Sequence, residues 1–452
     1  MPEDALPESI AGALDRFPAE LLRSEHIRLA CRRAALRHGF DEVRGAVLEP
    51  EALIERSGDA ASSDLLRLRD DAQGPLEGQA VVLRRELLPT LARMYAKWAA
   101  RAPGPARWFA SGDCFRGRRP VRGRRCEFHQ HACCVFGDET PRADAEVIAA
   151  AVAALSDLGL TPQHVKVRIS HRGAVQTMLR GRGVAPDDLP AWFYLLDRAG
   201  RISNDDFTHE AVRLGMPAGK AVDLIRLMAM STPFEAPTTQ VMLSEDASGR
   251  GPAYFKALFA QLKAAGVSDW CVLNLGIVRG AAYYTGMVFE VHDAAGKEQT
   301  IAGGGRFDAL VEQLGGPATP AAGFAMSDVA LGLMLGERGL LPSDAALAEQ
   351  HGARPHVVVM PRDDSAEPGI SPVLATLRRA GLHARAHPMD DSDISDRLLR
   401  LHADHAAGRG ARFAVILESA QDLGLATLVD LAADGRQADR LTFAELVPRL
   451  KQ

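Results

Sequence analysis

The chain has 452 residues, 47% of them hydrophobic and 25% charged, and carries a formal net charge of -5. That length suits two or three globular domains with sizeable cores, and the mild acidity excludes a generally basic nucleic-acid binder, so any RNA contact must come from local patches. The six cysteines show no paired framework, the opening MPEDALPESI is acidic and polar, and there is no long apolar run, so a cytoplasmic protein without membrane spans is expected.

From about Pro18 to His38, apolar residues fall at helical spacing (Leu21, Leu22, Ile27, Ala30, Ala34) and the run closes at Gly39, a favoured residue just past a helix end. FDEVRGAVLEPEAL reads as a strand running into a turn, Ala80 to Leu83 as a strand, and Pro89 onward as a helix with proline in its first turn. Glu86 sits at that strand-to-helix turn. A carboxylate there can cap the helix or point into a pocket and hold an ammonium group.

Trp108 to Gly137 reads as two strands joined by a loop in which Arg116, Arg118, Arg119, Arg122, Arg124 and Arg125 crowd together. So dense a positive charge repels itself unless an anion neutralises it, and the planar fork of arginine suits phosphate oxygens; a solvated basic hairpin is the plain alternative. If the second strand runs from Arg124 to Phe136, period-two alternation puts Arg124, Cys126, Phe128, Gln130, Ala132 and Cys134 on one face. The same alternation scatters Cys126, His129, His131, Cys133 and Cys134 over both faces at a spacing foreign to zinc motifs, so no metal site is expected.

ADAEVIAAAVAALSDLGL is a helix closed at Gly159, VKVRIS a strand, and His171 to about Met230 a set of short helices without a chemical motif. VLNLGIVRGAAYYTGMVFEVHD reads as two strands joined at Arg279 and Gly280, placing Tyr283 and Tyr284 on a strand, where a core role is the default for a tyrosine. IAGGGRFDALVEQLGG follows as strand, glycine turn and helix. It lacks both the full G-x-G-x-x-G and a P-loop lysine, so Gly303 to Gly305 read as a floor that lets a flat ligand approach the backbone. Ser343 to Arg354 reads as a linker, and Pro355 onward as a compact α/β domain with a mixed sheet.

Several of these motifs together resemble the histidyl-tRNA synthetases, a class II aminoacyl-tRNA synthetase family. The resemblance rests on FRGRRPVRGRRCEFHQ, IVRGAAYYTGMVFE, AGGGRFD, LRRELLPTLARM and the tail RGARFAVIL, in family order. It implies an α+β architecture: a class II catalytic domain on an antiparallel sheet over residues 1–342, with a partly helical segment at about 171–265, a linker at 343–354, and an anticodon-binding-like α/β domain over 355–452. It also implies a homodimer that uses ATP and Mg²⁺, histidine or a related amino acid, and tRNA. Carried over by position, Arg116 holds the α-phosphate of ATP, Arg124 its distal phosphates, and Arg279 the reacting carboxylate. Glu86 binds the α-amino group, Gln130 places the substrate, Tyr284 reaches the imidazole, and Tyr283, Gly304 and Gly305 complete the amino-acid site.

Against the family pattern, Ala46 stands at a proline, Leu88 at a small hydroxyl, Arg118 at an acid, Cys126 at an arginine, Cys134 at the carboxylate that reads the imidazole, and Phe307 at a tyrosine-like position. Ser327 and Ala330 stand at the glycine and arginine of the third motif, and Ala282 is also altered. The phosphate-binding arginines are therefore kept while histidine-reading groups change. Two other readings stand beside the ligase: a regulatory paralogue of the ATP phosphoribosyltransferase type, or an adenylating enzyme with another substrate.

Overall fold

The structure, a computed structural model, describes residues 10–13, 15–58, 64–68, 78–101, 104–236, 250–295, 300–388, 390–419, 424–433 and 438–451. It falls into two compact units, one built mainly from Ile27–Leu340 and the other from Leu341–Gln452 with Arg16–His26.

In the larger unit the strands are β1 (Asp41–Glu42), β2 (Leu48–Pro50), β3 (Val81–Leu83), β4 (Ala106–Phe115), β5 (Glu127–Phe136), β6 (Val165–His171), β7 (Cys271–Leu273), β8 (Met287–Asp293), β9 (Ala302–Arg306) and β10 (Ala321–Ser327). Eight of them form one sheet in the order β1-β4-β5-β10-β9-β8-β6-β7. The pairs from β4 through to β6 are antiparallel, with parallel partners only at the two edges. β5 lies near the middle and is covered on both faces. Phe128, Ala132, Cys134 and Phe136 join a cluster with Leu87, Leu88 and Leu91 of the helix Leu87–Trp98, while His131, of opposite parity, packs against Phe109 and Phe324.

The alanine-rich helix Pro141–Asp157 buries almost its whole length, as small side chains permit close approach of a helix to a sheet. After β6 come the short helices Arg172–Gly181, Leu189–Arg198, Asn204–Arg213 and Ala218–Ala229. The first and third of these helices are capped locally: the His171 ring accepts from the Gly173 amide, and the Ser203 hydroxyl from that of Asp206.

Five expectations need correction. FDEVRGAVLEPEAL holds two short strands and the helix Glu51–Arg56 in place of one strand and a turn. The helix after β3 begins at Leu87, ahead of Pro89. β5 begins at Glu127, so Arg124 and Cys126 lie outside it; Val121 and Arg124 instead exchange backbone bonds of 3.0 and 2.9 Å about a tight turn at Arg122 and Gly123, where Gly123 has φ +73°. Arg279, Tyr283 and Tyr284 are on no strand: Arg279 takes φ +54°, which ends extended structure, and the chain stays irregular until Met287. Gly303, Gly304 and Gly305 form no turn but the middle of β9, where a Cβ on Gly304 would lie 2.2 Å from the Gly323 carbonyl oxygen and one on Gly305 2.4 Å from that of Met287.

The smaller unit carries β11 (Val357–Pro361), β12 (Ala384–Ala386), β13 (Phe413–Leu417), β14 (Leu425–Asp430) and β15 (Ala438–Thr442) in the order β12-β11-β13-β14-β15, parallel on one side of β13 and antiparallel on the other. The edge strand β15 escapes a sequence reading because ADRLT has no apolar alternation and is at most half-buried. Within the stretch read as a linker, Asp344–Gln350 is a helix capped by the Ser343 hydroxyl, and Asp344 is bonded by the Arg23 guanidinium at 2.9 and 2.8 Å.

Candidate active site

A cleft of about 840 Å³ opens in the larger unit, between the arginine loop, the β8–β9 face of the sheet and the short helices after β6. Arg116, Arg118, Arg124 and Arg125 all line it. Arg116 is fixed by three contacts: Nε donates to the Arg85 carbonyl at 3.3 Å, Nη2 lies 3.6 Å from Glu86 Oε2, and the guanidinium covers the Phe128 ring at 5.2 Å. Burial, and then the charges of Arg116 and Arg124, push the Arg118 guanidinium down to about 10. The loop tip is tethered across to the helix Asp328–Glu337 by an ion pair between Arg122 and Glu337.

At the other wall, Glu86 does not cap its helix. Its Oε1 accepts from the Tyr283 hydroxyl at 2.8 Å, so of the two readings of Glu86 the pocket-facing one describes its position. Burial and the Glu86 carboxylate hold the Tyr283 phenol well above its usual range, which keeps it a proton donor. The helix is capped instead from the neighbouring strand: Gln130 Oε1 accepts from the Leu87 amide at 2.7 Å. That one bond fixes both the start of the helix and the residue before it, Glu86.

Arg279 reaches the cleft from its left-handed turn. Its Nη1 donates to Glu290 Oε1 at 2.9 Å, and its guanidinium lies 5.5 Å from the Tyr284 ring. Glu290 Oε2 in turn meets His292 Nε2 at 2.8 Å and the Thr300 hydroxyl at 3.0 Å. Burial opposes the Glu290 charge, but the bond to His292 and the Arg279 cation prevail and bring it down to about 2. A Cβ on Gly303 would stand 2.0 Å from Arg279 Nη1; the glycine makes room for this arginine rather than for a flat ligand.

Of the residues singled out in the sequence, Glu86, Arg116, Arg124, Gln130 and Arg279 therefore meet around one cleft. Tyr283 and Tyr284 are buried and do not line it, and Gly304 and Gly305 lie between strands and do not line it either. Cys126 does not face the cleft: its thiol donates to the carbonyls of Ala11 and Arg118. Cys134 and Leu88, at 0% and 1% exposure, are packed in one apolar cluster with Tyr284 and Phe307. The Tyr284 hydroxyl is buried there with no hydrogen-bond partner among the described residues.

Sequence reasoning missed Glu290 and Arg84. Glu290 interrupts the apolar strand MVFEVHD, and a carboxylate buried in such a strand demands a cation; that signal pointed to Arg279. Arg84 is a structural arginine whose guanidinium donates to the carbonyls of Gly45, Ala46 and Asp113.

Residues 12–331 match the family described as histidyl-tRNA synthetase. The chain belongs to that family. It is 34% identical over 339 residues to the histidine–tRNA ligase of Opitutus terrae, covering 74% of this chain and 76% of that one. The histidine–tRNA ligase of Haloarcula marismortui is 30% identical over 418 residues, covering 92% and 91%. In fold the chain resembles the solved histidyl-tRNA synthetase of a Nostoc species, with a TM-score of 0.74 at 19% identity over 99% of each chain. A histidyl-tRNA synthetase sheet accounts for the antiparallel centre seen here, and no helix among the described residues is long and apolar enough to cross a membrane.

Proposed function

We propose that this protein is a histidine–tRNA ligase that activates histidine with ATP and passes it to tRNA. The observation that carries the proposal is the meeting of Arg116, Glu86 and Arg279 around one cleft, in a chain of this family.

Two chemical steps fit the site. A carboxylate oxygen of histidine attacks the α-phosphorus of ATP, the bond to the β-phosphate breaks, and pyrophosphate leaves with its electron pair. The 3′-terminal hydroxyl of tRNA then attacks the aminoacyl carbonyl, an ester bond forms as the acyl–phosphate bond breaks, and AMP leaves with the hydroxyl proton. Neither step needs a covalent bond to the protein, so catalysis reduces to positioning and charge. Arg116 stabilises the charge that builds on the α-phosphate, and Arg124 holds the phosphates beyond it. Arg279, held in line by Glu290, bridges the attacking carboxylate and the α-phosphate. Glu86 receives the ammonium group of the amino acid, for which the Tyr283 hydroxyl now stands in, and Gln130 keeps Glu86 in register. Glu86 and Glu290 are both committed to other partners. Mg²⁺ accompanies the nucleotide, where it adds positive charge at the phosphates.

The imidazole is read by the Tyr284 hydroxyl, a buried polar atom without a hydrogen-bond partner among the described residues; the resemblance assigns the same residue. With Cys134 where a carboxylate stands in the family, this hydroxyl carries the polar recognition. The six cysteines are all unpaired, which suits a cytoplasmic enzyme. The α/β unit from Leu341 onward would supply the tRNA anticodon contact, and its presence favours the ligase over a regulatory paralogue. Charging of purified tRNA with labelled histidine tests the proposal: a stable histidyl-tRNA product is expected, and its absence with folded protein, ATP and Mg²⁺ present would refute transfer.

A further inference from the structure

The arginine loop holds more positive charge than the two roles given above use. Arg118 lines the cleft, and its Nε is buried without a hydrogen-bond partner among the described residues. A buried, unsatisfied guanidinium nitrogen is costly, and a chain keeps one where a ligand completes it. Its electrostatic neighbours include Arg116, Arg124, Asp64 and Arg85. Asp64, the carboxylate among them, is already bonded to Arg85 Nε at 2.8 Å. Arg118 therefore lies within electrostatic reach of both Arg116 and Arg124, like charges on the same loop. Across the cleft, Ser327 and Ala330 line the wall formed by the helix Asp328–Glu337, and neither carries a charge. A polyanion beside that wall gains no positive charge from it.

We infer that Arg118 is a third arginine ligand of the nucleotide, gripping the β- and γ-phosphates of ATP together with Arg124 while Arg116 holds the α-phosphate. The inference rests on the ATP reading of the cleft. Binding relieves the repulsion among the three arginines and gives the Arg118 Nε its missing acceptor. It also couples grip on the triphosphate to the loop tether at Arg122 and Glu337, since Arg118 and Arg122 sit on the same loop.

Calorimetric binding of ATP and of AMP to the wild-type protein and to Arg118→Gln separates the outcomes. Loss of a charge-assisted bond predicts ATP binding weaker on the order of tenfold to a hundredfold in the variant, with AMP binding unchanged because AMP lacks the phosphates concerned. ATP binding equal to wild type overturns the inference, and so does equal weakening of ATP and AMP, which marks a purely structural arginine. Wild-type protein that binds no ATP overturns the ligase reading and this inference with it. If circular dichroism shows that Arg118→Gln does not fold, Arg118→Lys fills the same space with a charge but no fork; it is expected to weaken ATP several-fold at constant AMP affinity, and unchanged ATP affinity would again overturn the assignment.

Discussion

Tyr284 offers a test in which stability and function move apart. Its hydroxyl is buried and unpaired, so Tyr284→Phe removes a desolvated polar atom and is expected to leave thermal stability unchanged or slightly raised. If the hydroxyl reads the imidazole, histidine affinity falls on the order of tenfold in the same variant; equal histidine affinity would move recognition elsewhere. Gly303→Ala probes the arginine seat. A methyl group 2.0 Å from Arg279 Nη1 must displace the guanidinium, and a shift of about 1 Å in a positioned group costs on the order of a hundredfold in rate. Adenylate formation is expected to fall by that order while the circular dichroism spectrum stays native. His131 carries a pH prediction. Burial, with a smaller contribution from His129, pushes its imidazole down to about 3 from an ordinary 6.5, and it is held neutral between Ser111 Oγ at 2.9 Å and Cys133 Sγ at 3.5 Å. As pH falls from 6.5 toward 3 the unfolded chain takes up a proton that the native chain refuses, so stability drops with a slope of up to about 1.4 kcal/mol per pH unit. His131→Phe should lower stability at neutral pH by orphaning Ser111, yet flatten the acid slope; an unchanged slope in urea unfolding across pH 6 to 4 would dismiss this residue as its source.

The helix Leu87–Trp98 shows how one contact between elements sets a site. Because Gln130 on β5 caps the helix through the Leu87 amide, Gln130→Ala is expected to cost about 1 kcal/mol of stability and, by loosening Glu86, to raise KM for the amino acid more than KM for ATP. Steady-state kinetics that show the opposite order would detach Glu86 from the cap. This contact was invisible in the sequence, where Gln130 and Glu86 are 44 positions apart, Gln130 read only as a ligand group and Glu86 as either the helix cap itself or a ligand group. Elements with a strong apolar period were legible: the first long helix, Pro141–Asp157, and the strands β11, β13 and β14 of the smaller unit lie where periodicity puts them. Parity along β5 also sorted Cys134 from Cys133, because one face of that strand meets the helix Leu87–Trp98. Failures cluster where tertiary geometry overrides local preference. The glycines of β9 read as a turn because sequence cannot show that their neighbours, Met287 and Gly323, leave no room for a Cβ, and Arg279 read as strand because its φ of +54° is imposed by the site. Of the cleft, the arginines and Glu86 were legible as charge without a partner; Glu290, an acid inside an apolar strand, carried a signal that went unread because its cation stands 11 residues away in an irregular turn.

At the scale of the whole molecule, the family resemblance carries a homodimer, with the first long helix and the strand after it at the interface. Multi-angle light scattering at micromolar concentration is expected to give twice the 48.5 kDa chain mass; a monomer would contradict that arrangement. The central claim is that the larger unit joins the histidine carboxylate to the α-phosphate of ATP. Histidine-dependent exchange of labelled pyrophosphate into ATP, run beside a panel of other amino acids, measures that step alone, without tRNA. Exchange with histidine in preference to the others is expected, abolished in Arg116→Ala with the fold retained. Folded wild-type protein that exchanges with no amino acid, or only with one other than histidine, would contradict it.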